Sequence, residues 1–289
     1  MEVKDYLRKE KEFRSFSTQR KAVVACIALL ISSISAFATT YYSRATGNWN
    51  ANSTWSTVSF ASATNAGTFP VAGDVVNIGG GFTVTVNVAS ACASITYEAA
   101  GRSNTVTLNS GIGLTVSGTI TIPRATGGGT TNINLLAVGA GNLTAATLSY
   151  TSSGNRTRHR LTISTGTVTI TGNITSNSNT NTSPLISFTG AGTLNVGGSM
   201  FSGGGGTLTQ STSTVNYNGG GAQTIGAFTY YNLTLTGNST KSLRAATNVS
   251  NTLTVNAGAT LSLSTFTLGA TTRPTSTVLY CGAVTGSTI

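Results

Sequence analysis

The chain has 289 residues, of which 39% are hydrophobic and only 8% are charged, and its formal net charge is +10. Regular β-branched alternation excludes a disordered chain for most of this length. Seven of the 16 basic residues lie within residues 1–21 and the others are scattered, so the charge indicates no nucleic-acid partner.

A basic segment followed by an apolar run opens the chain. Residues 4–21 are polar and basic, and the 17 residues from Ala22 to Ala38 are mostly apolar. The run closes with Ala36-Phe37-Ala38, the small-x-small pattern that precedes a signal-peptidase cut. We predict a helical signal peptide over residues 1–38, cleaved after Ala38, that meets the membrane only during export. An uncleaved anchor is the alternative, because such a run is at the short end of the spanning range.

Cleavage after Ala38 would remove Cys26 and leave Cys92 and Cys281. In a stacked coil these two would lie many turns apart, too far for a disulfide. We expect both to be small buried side chains rather than parts of a disulfide framework.

Residues 39–100 differ from the rest and are predicted to form an opening module or cap. They contain both tryptophans, Trp49 and Trp55, and the only acids after residue 21, Asp74 and Glu98. The tryptophans are expected to cover the open end of an apolar core, because the first turn of a stacked coil has no neighbour. The alternative is an exposed platform on which a sugar stacks, to which Tyr230 and Tyr231 would also contribute. Asp74 follows a glycine in a turn and is expected to bind backbone N–H groups.

Short triplets of apolar, small polar and apolar residues recur between glycines in residues 101–289. Examples are Leu114-Thr115-Val116, Leu161-Thr162-Ile163, Val168-Thr169-Ile170 and Leu194-Asn195-Val196. Both apolar side chains of an extended triplet point to one face, and the polar one points to the other. The spacing predicts an all-β fold, a right-handed parallel β-helix or β-solenoid with about 20–25 residues a turn, or alternatively tandem β-sandwiches.

The motifs of the opening module resemble a known pattern. Gly47-Asn48-Trp49, Trp55, the run from Pro70 to Ile78 with Gly73-Asp74, and Thr83-Val84-Thr85-Val86 are similar to the start of large secreted surface proteins of Bacteroidota-type bacteria, which is related to the extracellular eight-glycine domain. The resemblance implies export and surface display, often through a type IX secretion system. The carboxy-terminal sorting domain usual in such proteins is not evident in this sequence. The chain ends at Ile289 shortly after one more strand-like run, which indicates a fragment of a longer protein.

The sequence predicts no catalytic, cofactor or metal site. Two acids 24 positions apart do not form the carboxylate pair of a glycosidase, and a single histidine, His159, has no ligand partners nearby in sequence. Arg156, Arg158 and Arg160 would share one strand face and could meet an anionic surface, although a solvated strand edge is the simpler interpretation.

Three functions remain open. The first is a cell-surface structural or adhesive repeat protein without enzymatic activity, whose partners would be surface polysaccharide or other surface components. The second is a carbohydrate-binding module, and the third is an ice-binding protein with an outward threonine ladder. The sequence places the protein outside the cell and leaves its oligomeric state open.

Overall fold

The structure, a computed structural model, describes residues 38–126, 131–151, 159–177, 184–201, 205–270, 277–280 and 283–285. The signal helix predicted over residues 1–38 lies outside this part of the chain, apart from Ala38.

The described strands form three sheets, which we name A, B and C. Sheet A contains β1 (Thr40–Ser43), β3 (Trp55–Ser56), β4 (Val75–Ile78), β6 (Ser90–Cys92), β7 (Ser94–Tyr97), β9 (Gly113–Pro123), β11 (Asn142–Thr151), β13 (Thr167–Ile170), β14 (Ile174–Ser176), β16 (Thr193–Val196), β18 (Thr214–Tyr217), β20 (Thr229–Leu235), β22 (Thr247–Val255), β24 (Leu268–Ala270) and β25 (Thr277–Tyr280). Sheet B contains β2 (Gly47–Asn48), β5 (Thr83–Val86), β8 (Asn104–Leu108), β10 (Asn134–Gly139), β12 (His159–Ile163), β15 (Pro184–Phe188) and β17 (Thr207–Thr209). Sheet C contains β19 (Gln223–Ile225), β21 (Thr240–Leu243), β23 (Thr260–Ser262) and β26 (Ala283–Thr285). A 3-10 helix spans Asn52–Thr54.

The chain winds as a parallel β-solenoid. It alternates between sheets A and B up to β18, and between sheets A and C from β19 onward. Strands of successive turns pair in parallel, and the one antiparallel pair among the described strands is β1 with β3. The solenoid prediction is confirmed. The sandwich alternative is wrong, because sandwiches are built mainly from antiparallel strands.

The core is a stack of the predicted triplets. Leu143 pairs with Val168, Val168 pairs with Leu194, and Leu194 pairs with Val215. These four side chains are at most 1% exposed, because the period-2 alternation of each strand turns them into the coil. The turns they mark are 25, 26 and 21 residues long, close to the predicted length. The run Phe266-Thr267-Leu268 has the same apolar, polar, apolar pattern and is the exception, since Phe266 and Leu268 are only partly buried.

Long strands of sheet A supply two sides of a turn. The first part of β9 pairs with β6, and its Ile120–Thr121 part pairs with β7. In the same way β11 pairs with β13 and, further along, with β14. A strand of sheet B or C supplies the remaining side, so such a turn has three extended stretches.

Stacked glycines mark one corner of the coil. A Cβ on Gly141 would lie 2.8 Å from the carbonyl oxygen of Ile112, and one on Gly192 would lie 2.8 Å from that of Ser164. A Cβ on Gly166 would collide with the carbonyl oxygen of Gly141. Any side chain here would push neighbouring turns apart, so these glycines allow close backbone stacking as well as a bend.

Polar side chains fill another corner. Asn134 lies between Asn104 and His159 in the register of sheet B, and all three are fully buried. The Asn104 amide donates to the side-chain oxygen of Asn134 at 2.8 Å, and the Asn134 amide donates to the carbonyls of Glu98 and Pro123, each at 2.8 Å. These bonds satisfy buried polar groups where the backbone turns out of the sheets.

The sheets run without a break across the predicted module boundary at residue 100. β7 pairs with β9, and β5 pairs with β8, so residues 39–100 form the first turns of the same coil.

Candidate functional site

An ordered array of threonine and asparagine covers part of the outer surface of sheet A. Each of six consecutive strands, from β11 to β22, places two such residues at the positions that alternate with the buried apolar pair. All are exposed or half-buried. We call this set the Thr/Asn array; its members are Asn142, Thr144, Thr167, Thr169, Thr193, Asn195, Thr214, Asn216, Asn232, Thr234, Thr252 and Thr254.

Parallel pairing fixes the spacing of the array. Thr169 is in register with Asn195, which is in register with Asn216. Neighbouring strands lie about 4.8 Å apart, and alternate residues of one strand are about 6.6 Å apart. The array therefore presents hydroxyl and amide groups at two regular repeats.

Side-chain hydrogen bonds tie the array together along the coil. The Asn195 amide donates to the Thr169 hydroxyl at 3.2 Å, and the Asn216 amide donates to the Asn195 oxygen at 3.1 Å. An Asn amide has two N–H donors and two acceptor lone pairs, so each of these contacts uses only part of its capacity. The donor and acceptor sites of these half-buried side chains that the internal bonds leave unused are available to hydrogen-bond an external ligand.

The ice-binding hypothesis requires threonine at both positions of each strand. Two of the six strands, β13 and β22, meet this requirement, while the other four carry asparagine at one position.

The predicted tryptophan platform is buried. Trp49 and Trp55 are each 0% exposed and meet edge to face with ring centres 5.2 Å apart. The Trp49 indole donates to the carbonyl of Pro70 at 3.0 Å, and the Trp55 indole donates to the carbonyl of Trp49 at 2.6 Å. Sugar stacking requires an exposed ring face, so the predicted glycan contact at both residues is wrong, and the alternative role in covering the first turns fits their burial.

The two predicted tyrosine contacts have different outcomes. Tyr230 is 0% exposed, and its hydroxyl lies 3.1 Å from that of Tyr217 and donates to the carbonyl of Gly226 at 2.8 Å. Burial raises its pKa well above the usual value. Tyr230 therefore has no ring face for a sugar, whereas the half-buried Tyr231 keeps its prediction as a glycan contact.

The predicted arginine cluster is described at one position only. Arg160 is half-buried on β12, in register with Leu135 and Leu185 on the neighbouring strands. Arg156 and Arg158 lie outside the described residues.

Both acids after residue 21 bind backbone groups. Asp74 is 6% exposed and accepts hydrogen bonds from the N–H groups of Thr39 and Val71, each at 2.9 Å. The predicted turn-stabilising role of Asp74 is confirmed. Glu98 accepts from the N–H of Gly80 at 2.8 Å.

Cys92 is a free, buried cysteine in β6. Burial, and then the nearby charge of Asp74, raise the pKa of its thiol to about 12. Such a thiol stays protonated at neutral pH and behaves as a small apolar side chain, as the sequence predicts. Cys281 lies outside the described residues.

Sequence reasoning missed a buried lysine. Lys241 is 0% exposed, and its ammonium donates to the carbonyl of Gly219 at 2.6 Å and to the Ser239 hydroxyl at 2.7 Å. Burial lowers its pKa. The signal was its position in β21, two residues before the inward-facing Leu243, because alternate residues of a strand share one face.

Within the described ranges, no group of three or more His, Cys, Asp or Glu side chains is placed to hold a metal ion. In that same part of the chain, no helix is long and apolar enough to cross a membrane. Of the predicted cleavage-site residues, Ala38 is exposed and Ala36 lies outside the described residues.

Comparisons of the chain with protein-family models, with curated proteins and with solved structures found no match. The resemblance to Bacteroidota-type surface proteins therefore stays a prediction from the opening motifs.

Proposed function

We propose that this chain is an exported cell-surface protein whose β-solenoid serves as a structural and adhesive element rather than as an enzyme. The observation that carries the proposal is the Thr/Asn array, a repeated uncharged surface displayed on a coil with an apolar interior. Support for export comes from the signal-like residues 1–38.

The array suits adhesion to a polymer. Hydroxyl and amide groups repeated along the coil can each make a weak hydrogen bond to a chain that itself carries repeated hydroxyls. Once one unit of a polymer is bound, the next unit is held at a high effective concentration near its own contact. A long polymer therefore binds far better than one of its units. Surface polysaccharide is the partner class that fits this chemistry. This second candidate function, carbohydrate binding, is favoured at the array rather than at the buried tryptophans.

Location is tested first. An antibody against the β-solenoid should label intact cells, and protease added outside the cells should remove this labelling without lysis. A cytoplasmic protein must stay protected in the same cells as the control. Labelling that appears only after lysis would contradict surface display.

Adhesion is tested by array substitution. Thr169→Ala, Asn195→Ala and Asn216→Ala together should lower binding of the exported protein to purified surface polysaccharide at least tenfold. Thr107→Ala and Thr162→Ala, at half-buried outward positions of sheet B, are the matched control and should leave binding unchanged. Equal loss in both variants would show that the array is not the binding surface.

A further inference from the structure

The carboxylate of Asp74 holds the residue that directly follows the predicted cleavage site. The backbone nitrogen of Thr39 donates to Asp74 Oδ1 at 2.9 Å, and Val71 donates to the other carboxylate oxygen at 2.9 Å. Asp74 is 6% exposed, so its charge lies in a mostly buried position. The N–H of Val71 belongs to an internal peptide bond, and that of Thr39 is an uncharged peptide N–H as long as residue 38 remains attached.

Neighbouring backbone bonds fix the position of Thr39. The N–H of Val75 donates to the Thr39 carbonyl at 2.9 Å, and Thr40 is in register with Val75 where β1 pairs with β4. Thr39 is half-buried, and Ala38 before it is exposed. The Ala38–Thr39 peptide bond therefore joins an exposed residue to the first residue held by the solenoid, and the Asp74 carboxylate lies on the solenoid side of it.

We propose that cleavage after Ala38 is a maturation step that completes the fold, because the new α-ammonium of Thr39 pairs with the carboxylate of Asp74. This inference rests on the export proposed above. A signal peptidase hydrolyses the Ala38–Thr39 amide with one water molecule. The C–N bond breaks, the oxygen of the water bonds to the carbonyl carbon of Ala38, and that carbon leaves with the released segment as a carboxylate. The nitrogen of Thr39 keeps its hydrogen and gains both protons of the water, one of them from the new carboxyl group, to become the ammonium.

The pairing gives the buried charge a partner of opposite sign. The hydrogen bond from the peptide N–H of Thr39 is already charge-assisted because the carboxylate accepts it. Cleavage adds the Coulomb attraction between two opposite unit charges, which is stronger in a mostly buried position than in water. The ammonium also brings three donors in place of the single N–H of a peptide bond. A buried charge without a counter-charge destabilises a fold, so the mature chain is more stable than a chain extended at its amino terminus.

The test compares two exported proteins made from the full precursor. One has the natural sequence, and the other carries Gly-Ser inserted between Ala38 and Thr39, so that cleavage leaves Thr39 inside a peptide bond. The natural form should melt roughly 2–4 °C higher than the extended one. Equal melting temperatures would overturn the inference.

Two substitutions make the comparison specific. Asp74→Asn keeps an oxygen acceptor and removes the charge, so it should abolish the difference between the natural and the extended forms. Glu98→Gln is the matched control, because Glu98 also binds a backbone N–H group but not that of Thr39. The difference should persist in that variant, and its loss there would contradict the assignment to Asp74. The insertion leaves Asp74 in place, so the main comparison does not depend on the folding of Asp74→Asn.

Amino-terminal sequencing separates this inference from the proposed function. An exported protein that begins at Thr39 supports both. An exported protein that begins at any other residue overturns the ion pair and leaves export standing. An uncut protein that stays inside the cell overturns export, and the maturation step with it.

Discussion

The interior of the solenoid is filled by different side chains in its first turns and in its middle. In the middle, aliphatic side chains such as Leu194 lie between equivalent ones from the turns before and after. Among the described strands the first turns have no preceding neighbour, and there Trp49 and Trp55 fill the interior while β3 adds an antiparallel strand. The difference teaches that a repeating sequence can build the body of a coil, whereas its end needs residues that do not repeat.

The largest effect is expected at the covered end. Trp49→Ala should lower the free energy of unfolding by about 3–5 kcal/mol, because it removes a fully buried ring that contacts Trp55. Chemical denaturation of the exported protein measures this. Val58→Ala, at a position 64% exposed in the same region, is the control and should change stability by less than about 0.5 kcal/mol. A small effect of the tryptophan substitution would mean that the first turns contribute little to the cooperative unit.

A similar test applies to the middle of the coil. Leu194→Ala should cost about 2–5 kcal/mol, because the cavity lies between Val168 and Val215 of the adjacent turns. Leu185→Ala, on the outward and half-buried side of β15, should cost clearly less in the same denaturation assay. Equal costs for the two leucines would contradict the assigned faces.

These faces could be predicted from the sequence, and the corner contacts could not. The triplets predict which side chains point inward because a strand alternates with a period of 2. Asn104 and Asn134 are 30 residues apart, and nothing in either local pattern indicates that their amides meet. Their pairing depends on the length of the loops between β8 and β10, which sets the register only after the turn has closed.

Part of the candidate site could likewise be predicted from the sequence, and part could not. The outward threonines and asparagines follow directly from the triplets, so the array was within reach of sequence reasoning. The prediction that four aromatic residues contact a glycan rests on residue type alone. Three of them are buried, because a large aromatic ring contributes most to a fold by filling its interior.

Alkaline pH should weaken the interior of the coil. Burial raises the pKa of Tyr97, Tyr150 and Tyr230 above the usual value, and that of Tyr217 to about 12. Above pH ~10 the unfolded chain loses these protons before the folded chain does, so stability present below that pH falls as the pH rises. Each of these tyrosines adds to the loss by up to roughly 1 kcal/mol per pH unit. Denaturation curves between pH 8 and 11 should show the loss.

The tyrosine assignment is checked by substitution. Tyr150→Phe should make the loss of stability with rising pH shallower, since phenylalanine has no proton to lose. Tyr231→Phe, at a half-buried outward position of β20, is the matched control. An unchanged slope in Tyr150→Phe would refute the role of that residue.

The smallest effect is expected on the outer surface. Thr169→Ala should change the free energy of unfolding by less than about 0.5 kcal/mol, because its hydroxyl makes a half-buried contact with Asn195 and supports no core residue. The same denaturation assay applies. A cost comparable to that of Leu194→Ala would mean that the array is structural, and its proposed role in binding would lose its basis.

The parallel register of the coil is tested most directly by engineered disulfides. The first variant carries Thr169→Cys and Asn195→Cys in a chain whose natural cysteines, Cys26, Cys92 and Cys281, are replaced by serine. The two new cysteines are directly paired residues of adjacent turns, on strands that lie about 4.8 Å apart. Mild oxidation should link them quantitatively, whereas Thr169→Cys with Asn216→Cys, two turns apart, exceeds the ~7 Å limit for bridging and should stay reduced. A link in the second pair but not in the first would contradict the register on which the solenoid, its array and its proposed function all depend.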